Sequence, residues 1–176
     1  LGYSVMGAEN VDPTAPKDMK ESFNYNNTRM PDSLWPIEID FFKVTALNSV
    51  RIADDLTLRI LTKFDTILDC GTTLVDAHQN PYNTTRVIHY PAYTGPLEKK
   101  QMRIGEHSDY GTITLLWQIN DVPGLEVQDL GGVWHPVRSA GKQIAIFCGQ
   151  SCAALRDVGS KRQVKQVRQP CKVGIP

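Results

Sequence analysis

The sequence predicts an α+β fold, mainly β with helical cover, of the jelly-roll or sandwich kind. Two observations carry this. A helical stripe fills one early stretch, and from about residue 82 the chain changes to short β-like runs punctuated by Gly and Asp. The scale agrees: 176 residues, 41% hydrophobic and 22% charged, suit one ordinary globular core.

Residues 1–36 are rich in Pro, Asn and Asp and have little periodicity. They read as an extended surface segment closed by Leu34-Trp35-Pro36. Over residues 38–64, Phe41, Val44, Leu47, Ile52, Leu56, Ile60 and Phe64 recur at three- to five-residue steps, mostly as a helical stripe. Asp54, Asp55, Arg59 and Lys63 fill other faces, and the preceding Pro suits a helix start. This predicts one long amphipathic helix covering a sheet. Strands are predicted at Thr85–Tyr90, Thr112–Gln118, Leu125–Gln128, Val133–Val137 and Gln143–Cys148, with Gly111, Gly124, Gly131-Gly132, Gly141 and Gly149 as punctuation. From about Arg156 the chain turns basic and polar, and Gln169-Pro170-Cys171 breaks any element, so a solvated tail is expected. The resulting division is 1–80, 81–155 and 156–176.

Several partners are disfavoured by composition. A net charge of +0 lacks the basic face of a nucleic-acid binder. The longest purely apolar run, Ile144 to Cys148, is far too short to cross a bilayer, so no membrane partner is expected. No signal peptide pattern is visible behind Leu1, and a cytoplasmic location is expected. Cys70, Cys148, Cys152 and Cys171 show no zinc-type spacing and read as reduced thiols, Cys148 and Cys152 packing as small apolar groups. Asn26-Asn27-Thr28 and Asn83-Thr84-Thr85 match a glycosylation triplet that is common by chance.

The strongest local feature is Arg103-Ile104-Gly105-Glu106-His107-Ser108-Asp109-Tyr110-Gly111. At strand geometry, alternate side chains share a face. The imidazole of His107 and the carboxylate of Asp109 would then converge closely enough to bind one metal ion. A third ligand from a distant strand would complete a two-His-one-carboxylate face with open positions, as in non-haem Fe(II) oxygenases. By itself the pair fits a purely structural role as well. Gly111 and the β-like Thr112-Ile113-Thr114-Leu115-Leu116 add the rigid support a metal site needs. Trp117, in the same alternating run, reads as core rather than pocket wall. Trp134 reads as packing over the sheet edge.

The ordered series is more specific than the pair. Gly105-x-His107-x-Asp109-Tyr110-Gly111-Thr112-x-Thr114-Leu115-Leu116-x-Gln118 is followed by Gly124-Leu125-x-Val127 and Gly132-x-Trp134-x-Pro136-Val137. Upstream stand Arg86-Val87-Ile88-His89-Tyr90-Pro91, Gly2-Tyr3, Glu9, Lys20-Glu21-Ser22-Phe23 and Leu34-Trp35-Pro36. Over about residues 1–155 this resembles the isopenicillin N synthase-like branch of the Fe(II)/2-oxoglutarate-dependent dioxygenases. The resemblance implies a double-stranded β-helix (a jelly roll) packed against helices, with Fe(II) and 2-oxoglutarate as cofactors. It implies a reaction that couples O2 reduction to decarboxylation of the oxoacid and oxidises a small organic substrate, often by hydroxylation. The isopenicillin N synthase reaction itself dispenses with the oxoacid. His107 and Asp109 are implied as iron ligands. Tyr90 matches a Tyr that helps hold the 2-oxoglutarate carboxylate, although the Asn often found two residues before it is Ile88 here.

The C-terminal part departs from the family pattern. That pattern asks for a second His on a later strand, followed by an Arg-x-Ser whose Arg pairs with the distal carboxylate of 2-oxoglutarate. Val164-Lys165-Gln166-Val167-Arg168 lies near the expected place without a His, and no Arg-x-Ser follows Asp109. His78, His89 and His135 read as poor substitutes, His89 because it alternates with Tyr90 and faces away from it. The expectation is an incomplete catalytic domain that turns over little or not at all as given. A non-catalytic binding module on the same scaffold, or a truncated gene-model product, are the alternatives. Stripped ladder partners would also favour aggregation or oligomerisation.

Overall fold

In the computed structural model, residues 1–26, 28–79, 82–120, 122–129, 131–138 and 143–152 are described, with the backbone of 167–170. The chain divides into two compact units. One comprises Leu1–Ser4 and Ser22–Ile88, the other Val5–Glu21 and His89–Pro176.

The first unit has a three-stranded sheet in the order β1 (Gly2–Ser4), β2 (Glu21–Tyr25), β3 (Thr85–His89). β1 and β2 are antiparallel, with Tyr3 opposite Phe23. Tyr25, Trp35, Ala46 and Val50 form the core, with Phe23, Met30, Phe42 and Leu47 packed against it. The rings are tilted or edge-on: Phe23 meets Phe42 at 5.3 Å and 78°, the arrangement that ring quadrupoles favour. The N-terminal segment is therefore no surface strap throughout. It supplies two strands, and its Tyr25 and Trp35 are core residues.

Helix α1 spans Phe42–Leu68, four residues beyond the expected start and end. Its buried positions are Ala46, Val50, Leu61 and Asp65, one face at helical spacing. The expected stripe is corrected at three positions: Phe41, Val44 and Ile52 are 81%, 62% and 63% exposed. A small Ala and a Val lie against the aromatic cluster, so closeness of approach selects the face rather than bulk of side chain. The helix ends at Asp69 in the left-handed conformation, with its N–H returning to the Asp65 carbonyl. The Asp65 carboxylate then caps the short helix α2 (Thr73–Ala77), accepting the N–H of Leu74 at 2.9 Å and of Val75 at 3.1 Å. The first asparagine of the Asn26-Asn27-Thr28 triplet is 2% exposed, its carbonyl oxygen taken by the Thr28 and Arg29 N–H groups. That environment does not suit a glycan acceptor.

The second unit holds two sheets. One runs β4 (Met102–His107), β9 (Val167–Pro170), β6 (Glu126–Gln128), β7 (Trp134–Pro136). The other pairs β5 (Ile113–Trp117) with β8 (Ile144–Cys148) antiparallel, Leu115 opposite Ile146. The five strands expected over 85–148 are present, each within one or two residues of its expected bounds. Three details differ. β4 was expected only as local strand geometry around His107, and it begins at Met102. Trp117 is 50% exposed and not core. The expected solvated tail contains β9, antiparallel to both β4 and β6, because open edges on each side supply the hydrogen bonds that its own sequence does not advertise. Val164, Lys165 and Gln166 lie outside the described residues. Cys152 is buried as expected, whereas Cys148 is exposed. No helix among the described residues is long and apolar enough to cross a membrane.

Candidate metal centre

β4 ends at His107, and Asp109 lies beyond it, in the connection to β5. The pair converges through that turn rather than by alternation along one strand. His107 Nε2 and Asp109 Oδ1 are 3.5 Å apart, with both side chains about three-quarters buried (24% and 26% exposed).

Each group is held by its other polar atom. Nδ1 of His107 lies 2.8 Å from the Gly105 carbonyl oxygen. A carbonyl only accepts, so Nδ1 carries the proton and the neutral ring presents its Nε2 lone pair to Asp109. Thr114, on β5, donates its hydroxyl to Asp109 Oδ2 at 2.5 Å, leaving Oδ1 towards the imidazole. A lone pair facing a carboxylate is unfavourable until a proton or a cation sits between them. The hydrogen bond to Asp109 accordingly raises the His107 pKa above its ordinary value. Burial opposes the rise, and the Gly105 carbonyl and the charges of Asp109 and Asp18 add to it.

The turn that carries Asp109 is clamped from behind by the chain following β8. The Gly149 N–H donates to the Thr112 carbonyl at 2.9 Å, the Gln150 N–H to that of Asp109 at 2.8 Å, and the Ser151 hydroxyl to that of Tyr110 at 2.7 Å. The approach is so close that a Cβ at position 149 would lie 2.9 Å from the Asp109 carbonyl oxygen and nearer still to that of Gly111. Glycine is the residue that fits there.

An Fe(II) ion held by protein side chains on one face needs three donors. A cation about 2.1 Å from each donor spans the gap between Nε2 and Oδ1, so this pair fits two of the positions. No group of three His, Cys, Asp or Glu that could hold a metal occurs among the described residues. The other histidines bond elsewhere: His78 Nδ1 to the Leu74 carbonyl, His89 to Glu21 and His135 to Asp129, at 2.6, 2.6 and 2.7 Å. The described residues therefore do not complete a triad. Tyr90 follows β3, half-buried, in the same unit as His107.

Thr114 stood within the sequence motif without an assigned role. The support that Asp18 gives to Gly105 had no local signal, because the two are 87 positions apart.

The family model of the 2OG-Fe(II) oxygenase superfamily matches residues 81–172. The match covers just over half the chain and runs past residue 155. The chain belongs to this superfamily, whose enzymes use Fe(II) and 2-oxoglutarate. It is 30% identical over 144 residues to the 2-oxoglutarate-dependent dioxygenase htyE of Aspergillus rugulosus, covering 73% of this chain and 44% of that protein. It is 30% identical over 153 residues to homoarginine-6-hydroxylase 2-ODD-233 of Oryza sativa subsp. japonica, covering 76% of this chain and 45% of that protein. Among solved structures, a full-length Neurospora crassa protein in complex with alpha-KG and thymine superposes with a TM-score of 0.78 at 28% identity, over 97% of this chain and 57% of that one. The chain thus spans less than half the length of these two curated relatives.

Proposed function

We propose that this chain is part of an Fe(II)- and 2-oxoglutarate-dependent oxidoreductase of the isopenicillin N synthase-like branch that oxidises, by hydroxylation in the first instance, a small organic molecule. In this reading the sheets of the second unit belong to a double-stranded β-helix. His107 and Asp109 hold the iron, and Tyr90 contributes to the oxoacid carboxylate. The observation that carries it is the paired orientation: Gly105 turns Nε2 of His107 inward while Thr114 turns Oδ1 of Asp109 towards it. When bound, the metal would supply redox chemistry with O2. The residues of this chain would position it, hold a proton on Nδ1 of His107 so that Nε2 is the nitrogen left for the metal, and hold the carboxylate in one orientation. Family membership and the small molecules named for relatives, homoarginine and thymine, support a small-molecule substrate.

The test is Fe(II) binding and succinate formation from 2-oxoglutarate by the purified chain, wild type against His107→Ala. Metal binding lost in the variant supports the assignment. Little succinate is expected from this chain with only two described donors, and robust production abolished by His107→Ala would overturn that expectation. A second reading, a non-catalytic binding module on the same scaffold, draws on the lack of a third donor among the described residues. It predicts equal stability with and without Fe(II) and no difference in metal binding between wild type and His107→Ala.

A further inference from the structure

The Gly105 carbonyl that meets His107 belongs to a residue that is itself pinned from the other side. The Gly105 N–H donates to Oδ1 of Asp18 at 3.0 Å, and the Val11 N–H donates to Oδ2 at 3.3 Å. Asp18 is only 2% exposed. A carboxylate is tolerated out of water where its oxygens are satisfied, and here backbone N–H groups satisfy both. The stretch around it is docked on the start of β4. The Met19 N–H donates to the Met102 carbonyl at 3.1 Å, and Gln101 Nε2 to the Lys17 carbonyl at 2.6 Å. Position 105 is closely surrounded: a Cβ there would be in van der Waals contact, 3.4 Å from that of Val11 and 3.7 Å from Asp18 Oδ1. Glycine has the freest backbone of any residue.

We propose that Asp18 is a positioning residue for His107, acting through Gly105. By holding the Gly105 N–H, Asp18 removes the conformational freedom that glycine brings to β4 and aims the Gly105 carbonyl at His107 Nδ1. That carbonyl selects the Nδ1-protonated tautomer and leaves the Nε2 lone pair facing Asp109. A residue near the start of the chain thus sets the orientation and tautomer of an imidazole 89 positions later. The consequence for metal binding rests on the reading of His107 as a ligand; the positioning itself does not.

The experiment records long-range nitrogen–proton spectra of the histidine rings in the 15N-labelled, metal-free full chain, at alkaline pH where the imidazole is neutral, followed by Co(II) titration. The variants are Asp18→Ala and Asp18→Asn. Asp12→Asn is the control: Asp12 bonds Thr14 and lines the same cavity as Asp18. Wild type and control are expected to show His107 protonated on Nδ1. In Asp18→Ala the Nε2-protonated form should become at least as populated, and Co(II) affinity should fall about tenfold. Asp18→Asn keeps one oxygen for Gly105 and should shift part of the way, which carries the test if the alanine variant does not fold. An unchanged His107 tautomer in the folded variants overturns the proposal. A shifted tautomer in a protein that never binds Co(II) upholds the positioning and overturns the ligand reading instead.

Discussion

Thr114 donates its hydroxyl to the carboxylate of Asp109 at 2.5 Å and so ties the turn that carries Asp109 to β5. This bond leaves the other oxygen of Asp109 facing His107 Nε2, where we propose the cation sits. Thr114→Val, which keeps the shape and removes the donor, is expected to weaken Co(II) binding by about 10- to 100-fold, the usual cost of losing an outer hydrogen bond to a ligand. Thr114→Ser should retain most of the affinity. Titration of the two variants side by side checks this, and equal affinities would show that the bond is incidental.

Gly149 tests the clamp behind the same turn. A methyl group there meets two backbone carbonyl oxygens that cannot move aside as a flexible side chain could. Gly149→Ala should cost about 1–3 kcal/mol, the range for overpacking, and should lower metal affinity as the turn shifts. Thermal unfolding and Co(II) titration read the two effects separately. Gly111→Ala is the comparison, because a Cβ at that position meets nothing within 4 Å.

The buried face of α1 separates two readings of one helix. Leu61 is 0% exposed, and Leu61→Ala should cost about 2–5 kcal/mol. Ile52→Ala, at a position the hydrophobic stripe assigns to the core but the fold exposes, should stay within about 0.5 kcal/mol. Urea unfolding of both variants measures the difference. Comparable losses would restore the stripe to the core.

Asp65 makes the stability of the first unit depend on acid. Burial alone would raise its pKa. The Cys70 thiol, the N–H groups of Leu74 and Val75 and the nearby His78 together outweigh burial, and the value lies below that of an ordinary aspartate. A carboxyl depressed on folding contributes its stability in full above the unfolded value of about 3.9, and that contribution is lost as pH falls through the folded value. Urea midpoints should therefore change little on this account from neutral pH down to about 5, then drop below about 4. Asp65→Asn should be less stable than wild type at neutral pH, with the gap closing in acid. A gap that stays constant with pH would show that the ionised cap contributes nothing.

What was legible in the sequence follows the range of the interactions. β3, β5, β6, β7 and β8 each carry their own signal, β-branched or apolar residues bounded by Gly or Asp, and they stand near their expected places. The convergence of His107 and Asp109 was legible too, though the turn rather than strand alternation achieves it. The N-terminal 36 residues misled because their Pro- and Asn-rich composition describes the chain locally. Tyr25 and Trp35 are buried against each other, Phe23 and the start of α1, contacts that composition does not report. The face of α1 misled for a related reason: Ala46 and Val50 carry weaker local signals than Ile52, yet they meet the aromatic cluster. The Asp18–Gly105 bond spans 87 positions, and no spacing rule reaches that far.

The ladder between β4 and β9 places His107 opposite Val167. The ladder thus brings a late segment alongside the backbone of His107 even though that segment carries no histidine. For a protein engineer, this turns a search over the whole chain into one over the few residues of a single short strand. A donor installed by substitution on β9 would be tried against a framework already paired to His107. The register supplies an address, and the chemistry to be placed there becomes a matter of choice.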